Sequence, residues 1–158
     1  MNLFIDRHQE LLSVLLKYKV DFIIVGGYSV IYHGYKRTTG DVDIWLKPDN
    51  ENKAKLVAAL REFDIDESGL ELISKLDFTN IHIFHLWEEP EKVDFMTRIN
   101  MVKYEDADKH KIIAIVDDLK IPFLHLNDLV LSKINTDRQK DKADIEELQK
   151  LNKSNPKK

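Results

Sequence analysis

The chain has 158 residues, which suits one compact domain, and 43% of them are hydrophobic, enough to bury a core. Lysine and arginine number 24 against 28 aspartates and glutamates, and the net charge of −4 disfavours a generally basic binder of nucleic acid or membrane surfaces. The absence of cysteine excludes disulfides, thiol catalysis and cysteine-bound metals. Apolar runs are too short to span a bilayer and the N-terminus lacks a secretory pattern, so we expect a soluble, cytoplasmic protein.

The spacing of hydrophobic residues predicts the elements in chain order. The first half contains a helix over residues 2–17, a buried strand over 20–25, a short helix over 28–35, a strand over 42–46, and helices over 51–63 and 70–76. The second half contains strands over 81–87 and 92–98 joined by a solvated turn at 88–91, a hairpin over 111–116 and 120–123, and helices over 126–135 and 137–151. Strands mixed with helices predict an α/β or α+β fold with one mixed sheet.

We expect a single domain over residues 1–151. Its core would span about 18–125 and its C-terminal helices about 126–151, followed by a disordered polar tail over 152–158.

A glycine turn is the first candidate for a binding site. Gly26-Gly27 ends the predicted strand at 20–25 and precedes a short helix. Glycines at such a place let backbone N–H groups approach a phosphate, and the start of a helix favours an anion. Ser29 adds a hydroxyl in the first turn. The alternative for two glycines alone is an ordinary tight turn.

Two aspartates on one strand face are the second candidate. Asp41 and Asp43 flank Val42, and residues two apart in a strand project from the same face, about 6.5–7 Å apart. Two close carboxylates repel unless a cation or a proton lies between them, and magnesium prefers such oxygen ligands. A site of this kind can hold two ions and support an in-line phosphoryl displacement. The alternative is a pair of solvated residues on an edge strand.

A third acid would complete such a site. Asp94 lies between Val93 and Phe95 in a predicted strand. If these two hydrophobic residues face the core, Asp94 faces the other side, where it could join the pair from a neighbouring strand. An exposed strand aspartate is the alternative.

Together these motifs resemble a known family. Gly26-Gly27-Tyr28-Ser29, Arg37-Thr38-Thr39, Asp41-Val42-Asp43-Ile44 and Val93-Asp94-Phe95 look like the nucleotidyltransferase superfamily of the DNA polymerase β type. Its small bacterial branch, which includes toxins of abortive-infection systems and antibiotic nucleotidyltransferases, is the most similar. The resemblance covers residues 20–98, and Lys133 with Lys140-Asp141-Lys142-Ala143-Asp144 extends it to Leu148.

The resemblance implies a mixed-sheet nucleotidyltransferase fold and a role for each matching residue. Asp41, Asp43 and Asp94 would ligate two Mg²⁺ ions, for which Mn²⁺ could substitute, and Asp94 would help to deprotonate the acceptor hydroxyl. Gly27 and Ser29, with Gly26 in the same turn, would hold the phosphates, and Lys133 could reach the triphosphate. The reaction would transfer a nucleoside monophosphate from a nucleoside triphosphate to an unidentified acceptor.

Several charged residues have two interpretations. Arg37 either meets substrate phosphate or is solvated in a turn. Lys133, on an apolar helix, would ordinarily extend to solvent. Asp141 and Asp144 share a helical face and would pair with Lys140 or Lys142.

Two functions compete with a magnesium-dependent enzyme. One is a nucleotidyltransferase-like module that binds a nucleotide or a protein partner without catalysis. The other is half of a toxin–antitoxin pair that acts on RNA or protein, for which Lys36, Arg37, Lys133 and Arg138 would form a local basic patch.

Overall fold

A six-stranded mixed sheet covered by helices on both faces makes up the computed structural model, which describes residues 3–36 and 39–154. The helices in those residues are α1 Asp6–Lys17, α2 Gly26–Tyr32, α3 Asn50–Leu60, α4 Glu67–Ser74, α5 Tyr104–His110, α6 Leu126–Ser132 and α7 Gln139–Ser154. The strands are β1 Phe22–Val25, β2 Val42–Leu46, β3 Ile83–Leu86, β4 Val93–Met96, β5 Ile112–Val116 and β6 Leu119–Phe123. The expected mixed α/β class is confirmed.

The order of the strands brings distant parts of the chain together. The sheet runs β3-β4-β2-β1-β6-β5, so β2 lies between β1, to which it is antiparallel, and β4, to which it is parallel. In this register Asp43 is paired with Val25 on one side and with Asp94 on the other. The end of β1 and the beginnings of β2 and β4 therefore meet at one edge of the sheet.

Alternation along the strands separates two hydrophobic cores. Ile24, Ile44 and Phe95 face a core that includes side chains of α1, α3 and α4, whereas Ile23 and Trp45 face a second core that includes side chains of α5, α6 and α7. Asp43 and Asp94 alternate with the residues of the first core, so both project towards the second face. Helices cover both faces of β2, so Trp45, which alternates with Ile44, is buried as well and is 1% exposed.

The hairpin of β5 and β6 is confirmed, with Asp117 and Asp118 both at positive φ in its turn. Helix α5 was not predicted, and residues 152–154, assigned to a disordered tail, continue α7. The rest of that tail, residues 155–158, lies outside the described residues. Over the part of the chain that is described, no helix has the length and apolarity needed to cross a membrane.

Candidate functional site

Asp43 occupies the centre of the site. It is the second residue of β2, and the residues paired with it in the sheet are Val25, directly before the glycine turn, and Asp94 of β4. Asp41 stands two residues earlier, just before the strand begins. The third acid predicted from the sequence is thus brought beside the first two, because β4 runs parallel to β2 and in register with it.

The close approach of Gly26 to Asp43 explains the first glycine of the turn. Gly26 has φ +67°, a left-handed conformation that side chains disfavour, and a Cβ at this position would lie 2.0 Å from Asp43 Oδ2. The residue that follows β1 and starts α2 must therefore be glycine if Asp43 is to keep its position. Helix α2 begins at Gly26, two residues before the predicted helix over 28–35, and ends at Tyr32.

Burial and neighbouring charge keep Asp43 short of full ionisation. Burial, followed by the nearby carboxylates of Asp94 and Asp41, raises the pKa of Asp43 to about 7, whereas Lys140 and Lys133 oppose the shift. A carboxyl group in such a position gains strongly from a cation or a proton placed beside it.

A lysine and a glutamate surround Asp41. Lys92 Nζ lies 3.9 Å from Asp41 Oδ2 and 3.6 Å from Asp94 Oδ1. The carboxyl group of Glu89 forms a hydrogen bond with Asp41, which raises the pKa of Glu89. Glu89 lies in an exposed turn, as the sequence predicted, and it also lines the same cavity as the aspartates, which was not predicted. Its position three residues after β3 and five before Asp94 was the available signal.

The three aspartates open into one polar cavity of about 370 Å³. Gly27 of the glycine turn and the Thr39-Gly40 segment line one part of it, and Glu89 lines another. Arg138 and Lys140, from the approach to α7 and its first turn, supply two cationic side chains. The cavity therefore combines four acidic groups with cations on the opposite element, an arrangement suited to a metal-bound polyanion.

Lys133 lies beside this cavity in a buried ion-pair cluster. Its Nζ is 3.2 Å from Asp141 Oδ1 and 3.0 Å from Asp144 Oδ2, and Thr136 Oγ1 donates a 2.7 Å hydrogen bond to Asp141 Oδ2. Two expectations are corrected here: Lys133 is 8% exposed rather than extended to solvent, and both aspartates pair with it rather than with Lys140 or Lys142. The cause is tertiary packing, because α7 folds back on α6.

That cluster also alters two ligand predictions. Lys133 is too buried to contribute to a surface patch that binds RNA, so it does not belong to the basic patch predicted from the sequence. It does line an adjacent cavity of about 320 Å³, which it shares with Gly26 and Asp43. Contact between Lys133 and a nucleotide stays a prediction.

The remaining predicted phosphate ligands are less accessible or not described. Ser29 is fully buried, and its Oγ has no hydrogen-bond partner among the described residues. Arg37, predicted to meet phosphate, lies outside the described residues.

The donor set at the aspartates fits a divalent cation. Three carboxylates and the nearby Glu89 are hard oxygen ligands, and Asp41 Oδ1 is buried without a hydrogen-bond partner in the described part of the chain. Among residues 3–36 and 39–154, no group of three or more histidine, aspartate or glutamate side chains has the geometry to bind a metal ion without moving. The ammonium of Lys92 instead neutralises two of the carboxylates.

The mixed sheet and its paired aspartates define a domain of the nucleotidyltransferase class, and the comparisons agree. The chain belongs to the family described as "Nucleotidyltransferase of unknown function (DUF6036)", whose model matches residues 3–155. It is also similar to the crystal structure of TM1012 from Thermotoga maritima, a protein described as a candidate nucleotidyltransferase. The TM-score is 0.57, with 96% of this chain and 92% of that chain covered.

Sequence identity to TM1012 is 19%, so this likeness concerns the fold. The comparison with curated proteins found no match. The expected membership of the nucleotidyltransferase superfamily and the expected fold are confirmed by the family and by this structural neighbour.

Proposed function

We propose that this protein is a metal-dependent nucleotidyltransferase that moves a nucleoside monophosphate from a nucleoside triphosphate to an acceptor hydroxyl. The observation that carries the proposal is the register of β2 and β4, which sets Asp43 beside Asp94, with Asp41 two residues away, in one polar cavity. Membership of a nucleotidyltransferase family supports the same reaction class.

Asp41, Asp43 and Asp94 would hold the divalent ions, two Mg²⁺ or Mn²⁺ in their place. Bound there, the metal supplies neutralisation of the phosphate charge and orientation of the reacting oxygens. The raised pKa of Asp43 and the buried Asp41 Oδ1 support this role, because both groups are incompletely satisfied in the free protein.

Other residues that line the two cavities would bind different parts of the triphosphate. Arg138 and Lys140 face the cavity and would contact the triphosphate, since cations on flexible side chains can follow phosphate oxygens. Gly27 lines the same cavity and would leave room for a phosphate beside the backbone, with Gly26 holding the turn. Ser29 and Lys133 would contact phosphate only after a local rearrangement, because both are buried.

The proposed reaction is a displacement at the α-phosphorus of the triphosphate. The acceptor oxygen forms a bond to the α-phosphorus while the bond from that phosphorus to the bridging oxygen breaks, and pyrophosphate leaves. The hydroxyl proton passes to the carboxylate of Asp94, which lies at the cavity wall. Positioning and charge neutralisation are the main contributions of the protein.

Label transfer tests the proposal. The protein is incubated with each of the four α-labelled triphosphates, Mg²⁺ and a bacterial lysate as the source of acceptor. We expect label in a product with the wild type and with the exposed control Asp64→Asn, and none with Asp43→Asn or with γ-label. Failure with all four triphosphates would contradict the proposal, as would equal transfer by Asp43→Asn.

A nucleotide-binding module without catalysis is the second candidate. The observation that favours it is the pairing of Lys92 with Asp41 and Asp94, which already neutralises part of the site. Magnesium-dependent triphosphate binding without turnover, measured by calorimetry together with the label assay, distinguishes this candidate from the enzyme. A toxin–antitoxin role, with RNA or protein as acceptor, would be a special case of the transferase.

A further inference from the structure

Lys92 places a positive charge among the proposed metal ligands. It directly precedes β4 and stands two residues before Asp94, so the two side chains project from the same face. Its Nζ lies 3.6 Å from Asp94 Oδ1 and 3.9 Å from Asp41 Oδ2. The ammonium therefore bridges the two carboxylates that flank the more buried Asp43.

The backbone around Lys92 is held in place by α1. Arg7 Nε lies 3.0 Å from Glu91 Oε2, and His8 Nε2 lies 2.9 Å from the carbonyl oxygen of Glu91, the residue before Lys92. The guanidinium of Arg7 also lies 4.7 Å from the ring centre of Trp87, at the other end of the same connection. The β3–β4 connection is thus anchored at both ends, and the lysine stem starts from a fixed position.

We propose that Lys92 is a built-in counter-ion that competes with a divalent cation for Asp41 and Asp94. This inference rests on the proposed function, since it assumes that the aspartates bind metal. A dication at these carboxylates would lie within a few ångströms of the ammonium and be repelled by it. Metal binding therefore requires the Lys92 side chain to turn away, for which its 30% exposure gives room.

The consequence is a site in which Asp41 and Asp94 are partly neutralised before metal arrives, so that the site binds metal weakly for its number of acids. Removing the charge of Lys92 should tighten metal binding. Like charges about 4 Å apart near a protein surface interact strongly enough for a change of about tenfold in affinity. Removing a lysine far from the site should have little effect.

Titration with Mn²⁺ alone tests this, with free Mn²⁺ followed by its electron paramagnetic resonance signal. The variants are Lys92→Met, Lys92→Gln and Lys92→Arg, with Lys120→Met as the matched control, an exposed strand lysine at the other end of the sheet. We expect the methionine and glutamine variants to bind Mn²⁺ about tenfold more tightly than the wild type. Lys92→Arg and Lys120→Met should match the wild type.

Asp43→Asn separates failure of the inference from failure of the proposed function. If this variant loses Mn²⁺ binding while Lys92→Met and Lys92→Gln bind no more tightly than the wild type, the metal site stands and the inference is overturned. If no variant shows saturable binding, or if Asp43→Asn binds as well as the wild type, the proposed metal site fails and the inference fails with it.

Discussion

Replacing Asp43 by asparagine should stabilise the fold while abolishing function. Folding raises the pKa of Asp43 from 3.8 to about 7, chiefly through burial and then through Asp94 and Asp41. The folded state therefore holds this proton more tightly than the unfolded chain does. The stability associated with protonated Asp43 is complete below about pH 4 and is lost as the pH rises through about 7.

The magnitude follows from that difference in pKa. A tenfold change in proton affinity corresponds to about 1.4 kcal/mol, so the full difference corresponds to about 4 kcal/mol of unfavourable free energy for ionised Asp43. Water in the cavity relieves part of it, and we expect Asp43→Asn to raise the free energy of unfolding by about 2 kcal/mol at pH 8. Near pH 4 the gain should fall below about 0.5 kcal/mol.

Urea unfolding measured at pH 4, 6 and 8 in the presence of a chelator, with tryptophan fluorescence as the probe, provides the assay. Trp45 lies two residues from Asp43 and is buried, so its emission reports on the same strand. The control Asp64→Asn removes an exposed carboxylate and should change stability by less than about 0.5 kcal/mol at every pH. A gain for Asp43→Asn that does not grow with pH, or a loss at pH 8, would refute the reasoning.

Three further predictions concern the surroundings of Asp43. Gly26→Ala should destabilise the protein by about 2 kcal/mol or more in urea unfolding, because the new Cβ would clash with Asp43 and the residue has a positive φ. The control Gly69→Ala lies in a helix, where the nearest atom to the new Cβ would be 3.9 Å away, and should be neutral or slightly stabilising. Lys133→Met should cost about 3 kcal/mol in the same assay, since it leaves two buried aspartates without their cation, whereas the exposed Lys142→Met should change little. Glu89→Gln removes an acid from the cavity and should weaken Mn²⁺ binding about threefold in a titration. Unchanged stability of Gly26→Ala or Lys133→Met would contradict the role given to that residue. Unchanged Mn²⁺ affinity of Glu89→Gln would contradict its place in the metal site.

Local patterns in the sequence were sufficient for most elements and for the acids of the site. Alternation around Val42 and Ile44 determines which face Asp43 occupies, and the same alternation around Val93 determines the face of Asp94. The parallel pairing of β2 with β4 could not be read from either strand alone, because it depends on the crossover between them. The expectation that Asp94 would join from a neighbouring strand was therefore conditional until the register was known.

The parts that were missed depend on contacts between distant segments. Glu89 belongs to the site because its connection is tied to α1 through Glu91, and nothing in the local sequence indicates that contact. Lys133 is buried because α7 brings Asp141 and Asp144 back to it, against its tendency to reach solvent. Helix α5 is short and rich in charged residues, and its buried residues are Tyr104 and Ala107. Its sequence therefore shows only a weak helical periodicity of hydrophobic residues.

The proposed function depends most on whether Asp41, Asp43 and Asp94 together bind metal. Anomalous diffraction from crystals of the wild type soaked with Mn²⁺ and a non-hydrolysable triphosphate tests this directly. We predict an anomalous peak about 2.1 Å from carboxylate oxygens of these aspartates, with the triphosphate extending towards Arg138 and Lys140. Ordered triphosphate in the cavity without such a peak, or a peak only at other residues, would contradict the account.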